Sequence, residues 1–514
     1  MREKRQEKWS GLNNLKWHVA YKGILAGLIA GLLVSLYRVG IEFGVEKSAV
    51  IYQQLRQKPA YTIAWLAAAV LVAAIAHRLM RLEPYAKGSG IPQVEGIVLL
   101  GMKIKWYTVL AVRFVVGILT SFFGLSLGRE GPSIQIGAAG SQAAAKKISS
   151  NKLEENYLIT AGASAGLSAA FNAPLSGIVF ALEEVHRSFS PNILIAATTA
   201  ALTSDMVSKY FFGLTPVLSY GDIPQLPIPL YILLLPAGIV SGLIGAAINK
   251  ALLAFSALYL KIPAFCRPLV ALLPALPCGL FLPQVLGGGQ GLIKLSETGQ
   301  AGIALLCLYL VIKALFTCTS FGSGLPGGIF MPILSIGALS GGILGRIFVR
   351  FGMDGAYIPV FCVCAMAGAM AGSVKAPVTS ILLMAEMTGS LIHLLPVAAV
   401  AFTALLVSDL LKVSPIYEVL LEQLSGDDRA AIREKSTGAV IEVPVELGSS
   451  AAGRRIKEVA WPDNTLIISI HRGAAKLVPN GDQVIFPGDY LMVLSSEQEY
   501  ESMNRALTRL CKTG

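Results

Sequence analysis

The stretches that carry no charge at all constrain this chain most. Ala60–Ala76, Thr160–Leu182 and Gly355–Val374 contain no Asp, Glu, Lys or Arg, and Ala301–Gly345 contains only Lys313. A run of about 20 apolar residues is long enough to cross the hydrocarbon core of a bilayer as a helix. The chain is 54% hydrophobic and 14% charged, whereas a soluble domain has about a quarter of its residues charged. Together these predict an all-α, multi-pass integral membrane protein with the lipid bilayer as its partner. Roughly ten to twelve hydrophobic segments are expected, several of them too short or too glycine-broken to cross straight.

The formal net charge of +11 fits cytoplasmic loops and a tail better than a nucleic-acid surface, and no nucleic acid is expected. The opening residues 1–8 are basic on balance, which favours a cytoplasmic N-terminus. A cytoplasmic tail then puts both termini inside the cell membrane, and no cleavable signal peptide is evident. The seven cysteines are scattered, and Cys362 and Cys364, one residue apart, fit core packing better than a metal or redox motif. Five dispersed histidines without a His-Glu-x-x-His pattern give no metal site, and no cofactor is expected. No Ser–His or paired-Asp constellation lies in the apolar segments, so the chain does not read as an enzyme.

Within the apolar body, Gly128-Arg129-Glu130-Gly131-Pro132 stands out. A carboxylate at membrane depth is costly and marks function by default. Its glycines and proline end one helix and begin another. A helix N-terminus presents unpaired N–H groups and the positive end of the helix dipole, an anion site. Glu130 therefore sits where an anion binds and is itself an anion, a side chain competing with a substrate ion for one place. Arg129 reads as structural.

The body also repeats. Ala173-Pro174 precedes an apolar run ending at Glu183, and Ala376-Pro377 a similar run ending at Glu386. Pro132-x-Ile134-x-Ile136-Gly137-Ala138 is echoed by Pro332-x-Leu334-x-Ile336-Gly337-Ala338. Two agreeing offsets of about 200 residues indicate duplicated halves, a common build of secondary transporters. The counterpart of the Glu130 break is Gly328-Ile329-Phe330-Met331-Pro332, with bare backbone where the first half has a carboxylate. Two further breaks carry hydroxyls: Ser89 in Gly88-Ser89-Gly90-Ile91-Pro92, and Tyr417 in Ser414-Pro415-Ile416-Tyr417. Hydroxyl and backbone N–H donors, without a lysine or arginine clamp, suit a weakly held monovalent anion that must also leave.

The chain divides accordingly. Residues 1–17 read as a basic amphipathic lead-in. Residues 18–412 form the membrane body, its halves roughly 18–215 and 228–412. Residues 413–437 read as a solvated helix and linker, and 438–514 as a small cytoplasmic α/β domain. Strands are expected at Val440–Val445, Thr465–Ile470 and Tyr490–Leu494, with turns at Asn480-Gly481-Asp482 and Pro487-Gly488-Asp489.

The four breaks, in this order, resemble the CLC family of chloride channels and proton/chloride antiporters over roughly residues 20–420. The resemblance implies a homodimer with one pore per subunit, each pore built from two inverted halves of tilted, broken helices. It makes Ser89 and Tyr417 chloride ligands, joined by the backbone N–H groups of Ile329 and Phe330. It makes Glu130 the gating and external proton glutamate, and Glu184 of Glu183-Glu184 the internal proton-transfer glutamate of antiporters. Ser89 favours chloride, since fluoride-exporting relatives usually lack this serine and nitrate-coupled ones tend to carry proline. Chloride and protons are then the transported partners and antiport the expected activity; the alternative is a passive voltage- or pH-gated chloride channel. Residues 438–512 resemble a TrkA-C module, which implies a small cytoplasmic ligand such as a cyclic dinucleotide.

Overall fold

The uncharged runs become helices in the computed structural model, which describes residues 2–218, 223–298, 301–425, 438–463, 465–472, 475–496 and 500–511. Among these, six helices are long and apolar enough to span a bilayer, and shorter apolar helices lie between them. Chain contacts separate two units, Met1–Leu424 and Ser425–Gly514.

The first half of the membrane unit comprises α1 (Arg2–Gln57), α2 (Tyr61–Leu82), α3 (Ile91–Leu100), α4 (Trp106–Ser121), α5 (Glu130–Ile148), α6 (Lys152–Phe171), α7 (Pro174–Phe180) and α8 (Pro191–Phe212). The second comprises α9 (Leu234–Leu260), α10 (Arg267–Leu272), α11 (Ala275–Phe281), α12 (Gln290–Glu297), α13 (Ile303–Gly322), α14 (Phe330–Arg350), α15 (Ile358–Val374), α16 (Pro377–Thr388) and α17 (Leu394–Leu410), and α18 (Ile416–Ser425) closes the unit. Packing repeats between the halves: α1 lies on α6 and α8 as α9 lies on α15 and α17, and α5 lies on α6 as α14 lies on α15. Small residues permit the close crossings. A Cβ on Gly166 would stand 2.9 Å from the Ile134 Cα, and one on Gly341 would stand 2.7 Å from the Cys362 Cα.

Three segments differ from the sequence reading. The uncharged run Thr160–Leu182 is not one span. It breaks at Asn172, whose φ of 53° ends α6 in the left-handed conformation, and Pro174 starts α7. A short polar side chain tolerates that conformation, and proline suits the first helical turn. Lys375, at φ 66°, breaks the second half at the matching place before Pro377. Helix α1 runs from Arg2 through the first span with no interruption at residue 17. Finally, α18 is not a solvated helix, because Ile416, Tyr417 and Leu421 are buried; residues 426–437 of that expected linker lie outside the described residues.

The halves are tied by reciprocal caps. Glu386, near the end of α16, accepts hydrogen bonds from the Leu175 and Ser176 N–H groups at 2.9 and 2.7 Å and from the Ser176 hydroxyl at 2.6 Å, capping α7. Glu183, just beyond α7, accepts from the Thr379 N–H at 2.9 Å and its hydroxyl at 2.7 Å, with the Val378 N–H at 3.3 Å, capping α16. Each half thus supplies the carboxylate that satisfies the other's orphan helix donors. Glu386→Ala and Glu183→Ala should each lower stability by about 1–2 kcal/mol. Thermal unfolding in detergent reads this, and an unchanged melting temperature for both would refute the capping role.

In the second unit, β1 (Gly438–Pro444), β2 (Leu466–Arg472), β3 (Ala475–Leu477) and β4 (Asp489–Ser496) form an antiparallel sheet of order β1-β4-β2-β3, with α19 (Tyr500–Cys511) packed on β1 and β4. The expected strands overlap β1, β2 and β4, running one residue past β1 and starting one before β2; β3 went unread because three residues leave no alternation to see. Ile441, Val443, Leu491, Val493, Met503 and Leu507 fill the core. Asp489 is fully buried, and Arg472 donates to both its oxygens at 2.8 Å while the Phe486 N–H donates at 2.9 Å. Burial pushes this carboxyl up, but those donors outweigh it and hold it below the usual carboxylate range.

Candidate functional site

The two glycine-flanked breaks meet at the centre of the membrane unit. Gly128 and Gly328 form an isolated antiparallel bridge, each N–H donating to the other's carbonyl, at 2.7 and 2.6 Å. That pairing turns the first residues of α5 and α14 toward one another, as expected for inverted halves. It needs glycine, because a Cβ on Gly328 would meet the Gly131 nitrogen at 2.8 Å.

Glu130 is the first residue of α5 and is 1% exposed. The backbone N–H groups of Arg129, of Glu130 itself and of Met331 point at its carboxylate, so helix starts of both halves serve it. Its Oε2 has no hydrogen-bond partner in the protein. Arg129 turns away and forms an ion pair with Glu42 of α1, which Arg38 also binds at 3.0 Å.

Ser89 lies two residues before α3, behind the left-handed Gly90, and its side chain abuts the α5 start: a Cβ on Gly131 would stand 2.5 Å from its Oγ. Tyr417, in the first turn of α18, brings its hydroxyl beside Ser89. Both hydroxyls are buried and neither completes a hydrogen bond within the protein. Ile329 and Phe330, fully buried, begin α14, and the Phe330 ring lies 6.0 Å from that of Tyr417. Ser89, Tyr417, Ile329, Phe330 and Glu130 therefore belong to one cluster, with buried unpartnered hydroxyls on one side and a buried carboxylate on the other. Glu184 stands apart on a π-helical turn, Ala181–Val185, that continues α7. It is 6% exposed and its Oε1 has no partner. Such turns recur at functional sites.

Two cavities with no lining residue in common reach the cluster. One, of about 340 Å3, is lined by Glu130, Arg129, Glu42, Glu46 and the glycines 288, 289 and 291. The other, of about 780 Å3, reaches Ser89 and is lined by the cations Arg81, Lys87 and Arg267 and by His77, with no carboxylate on its wall among the described residues. A basic funnel with low-dielectric walls concentrates anions.

The sequence reading found no cationic clamp at the site, and the structure adds a cation behind it. Arg113 of α4, fully buried, donates to the carbonyls of Lys87, Gly88 and Ser89 at 3.2, 2.9 and 3.0 Å, pinning the loop that carries the serine. Lys313 of α13, 200 positions on and equally buried, donates to the carbonyls of Val285 and Gly287 at 2.9 and 2.7 Å. Neither cation pairs with a carboxylate among the described residues. The signal was present in the sequence: Lys313 is the one charge of Ala301–Gly345, and Arg113 stands 200 positions before it, at the repeat offset.

Comparison with known proteins agrees with this architecture. Residues 68–409 match the family model described as voltage gated chloride channel, and residues 440–508 match the TrkA-C domain. The chain is similar to the H(+)/Cl(-) exchange transporter ClcA of Salmonella arizonae, 31% identical over 450 residues that cover 81% of this chain and 92% of that one. ClcA of Citrobacter koseri matches with 31% identity over 449 residues, covering 81% and 92%. Among solved structures, a slow cyanobacterial Cl-/H+ antiporter superposes with a TM-score of 0.74 at 28% identity, covering 79% of this chain and 98% of that one. A CLC-type fluoride/proton antiporter superposes with a TM-score of 0.63 at 22% identity, covering 76% and 95%, a likeness of fold alone.

Proposed function

The chain belongs to the voltage gated chloride channel family, with a C-terminal TrkA-C domain, and on that premise we propose that it is a proton-coupled chloride antiporter. Chloride enters from the cytoplasm through the basic cavity and is held by the Ser89 and Tyr417 hydroxyls and the Ile329 and Phe330 N–H groups. Glu130 occupies the outer anion place as a carboxylate and leaves it when it takes a proton from the outer cavity. Glu184 exchanges protons with the cytoplasm. The working unit is a homodimer in the cell membrane with both termini cytoplasmic, and the TrkA-C domain takes a small cytoplasmic ligand.

One observation carries this reading. A buried carboxylate sits against three backbone N–H groups from helix starts of both halves, the environment that a halide would otherwise require. A side chain that mimics the transported anion and also binds a proton makes the two occupancies exclusive, which is what exchange needs. The antiport named for the bacterial relatives has the same character. In proteoliposomes, an imposed chloride gradient should drive protons uphill, read by simultaneous chloride and pH recording. Chloride flux with no uphill proton movement would replace antiport with passive conduction.

A further inference from the structure

Beside Glu184 lies an arginine for which the cycle above has no use. Arg187 follows the π-helical turn with φ at 52°, a left-handed conformation that L side chains rarely adopt. From there its guanidinium reaches Glu95 of α3 at 3.7 Å and Glu418 of α18 at 3.6 Å, and its charge also acts on Glu184. Glu95 is fully buried. The two elements it bridges are those that carry Ser89 and Tyr417 next to their starts.

We propose that Arg187 is a positioning residue for proton transfer at the cytoplasmic end: one cation, shared by Glu95, Glu184 and Glu418, sets the proton affinity of that carboxylate cluster and ties it to the two helices that bear the anion-binding hydroxyls. The inference rests on the antiport reading and goes beyond it in assigning a residue. Carboxylates brought near one another repel, and a guanidinium among them favours their ionised forms. Protonation of one weakens its hold on Arg187, which then shifts toward the others. That shift passes from the π-helical turn to α3 and α18, so proton occupancy at Glu184 reaches the seats of Ser89 and Tyr417 without direct contact.

Titratable groups among the described residues surround Glu184 from several elements. Its own turn adds Glu183, engaged in capping α16, and His186, whose Nδ1 lies 2.9 Å from the Thr160 hydroxyl of α6 and whose ring is 5.9 Å from that of Tyr157. From α3 comes Glu95, and from α18 come Tyr417 and Glu418. Helix α7 has no titratable residue, and α8 has none before Asp205.

The test is chloride-driven proton transport in proteoliposomes, with the cytoplasmic-side pH varied, for the full-length chain and its Arg187→Gln and Arg187→Lys variants. Loss of a cation beside this carboxylate cluster should move the midpoint of the pH profile up by about one to three units, and lysine should restore it to within about half of that shift. A uniform fall in rate with an unmoved midpoint would mean a merely structural role and overturn the proposal, as would a lysine variant that shifts as far as glutamine. An infrared titration of the protonated-carboxyl stretch in the purified protein, assigned with Glu184→Gln, gives a readout that needs no transport. There Arg187→Gln should again titrate at higher pH, and coincident curves refute the assignment. A wild-type protein that moves no protons sinks the antiport reading instead, leaving the infrared result to decide the role of Arg187.

Discussion

Glu130→Ala should leave chloride flowing and stop protons entirely. The carboxylate is buried against the Arg129, Glu130 and Met331 N–H groups, and on the antiport proposal truncation removes both the competitor for that place and its proton carrier. Chloride efflux should persist with its pH dependence lost, while chloride-driven proton uptake falls by at least about a hundredfold, the order expected when a required proton-transfer group is deleted. Glu130→Gln sharpens the comparison. Glutamine keeps the shape and loses the charge, so it cannot seat as an anion, and it cannot carry a proton. It should therefore resemble alanine in coupling while conducting chloride more slowly, because the side chain still fills part of the path. Paired chloride-electrode and pH-electrode traces on the same vesicles decide the matter. Proton pumping retained in Glu130→Ala would remove Glu130 from the proton path.

Much of this was readable in the chain because lipid enforces simple rules. Charge-free runs become helices, and glycine or proline interruptions are tolerated only where they line a path or are buried in protein. The breaks at Ser89, Glu130, Phe330 and Tyr417 were therefore visible as punctuation. The repeat was visible because its small residues and prolines serve backbone crossings and breaks that both halves share. What stayed hidden depends on contacts between halves. Glu183 and Glu386 look like charged helix ends until the fold brings each to the other's partner helix, about 200 residues away. Asn172 hid a break because nothing in a charge-free run marks a left-handed residue, whereas proline two positions later was in plain view. Arg187 was unremarkable in Glu183-Glu184-Val185-His186-Arg187, since only packing sets Glu95 and Glu418 against it.

Arg113→Leu should lower both the stability of the membrane unit and its chloride affinity. Three loop carbonyls accept hydrogen bonds from this one guanidinium; the Lys87 and Gly88 carbonyls also accept from the Gln93 amide and the Gly327 N–H, so leucine strips the Ser89 carbonyl of its donor and weakens the other two. The unsatisfied acceptor costs about 1–3 kcal/mol and each of the two lost bonds beside it about 0.5–1.5 kcal/mol, so a loss of about 2–4 kcal/mol is expected after partial relaxation. The loop bears Ser89, so chloride affinity should fall along with stability. The electrostatic loss adds to this, because a buried cation with no carboxylate partner leaves a positive potential beside the anion place, and an apolar residue removes it. The pseudo-twofold provides the control. Lys313 does the same work in the other half with an ammonium and two carbonyls, so Arg113→Lys should recover a large part of the stability, falling short by the one acceptor it cannot reach. Lys313→Met should lower stability by a similar amount per lost bond, yet spare chloride affinity, since its loop faces the Glu130 cavity rather than Ser89. Thermal unfolding and chloride calorimetry on the three variants separate the effects. Equal losses of affinity in Arg113→Leu and Lys313→Met would mean that both cations act on the site only through global stability, and the local pinning argument would fail.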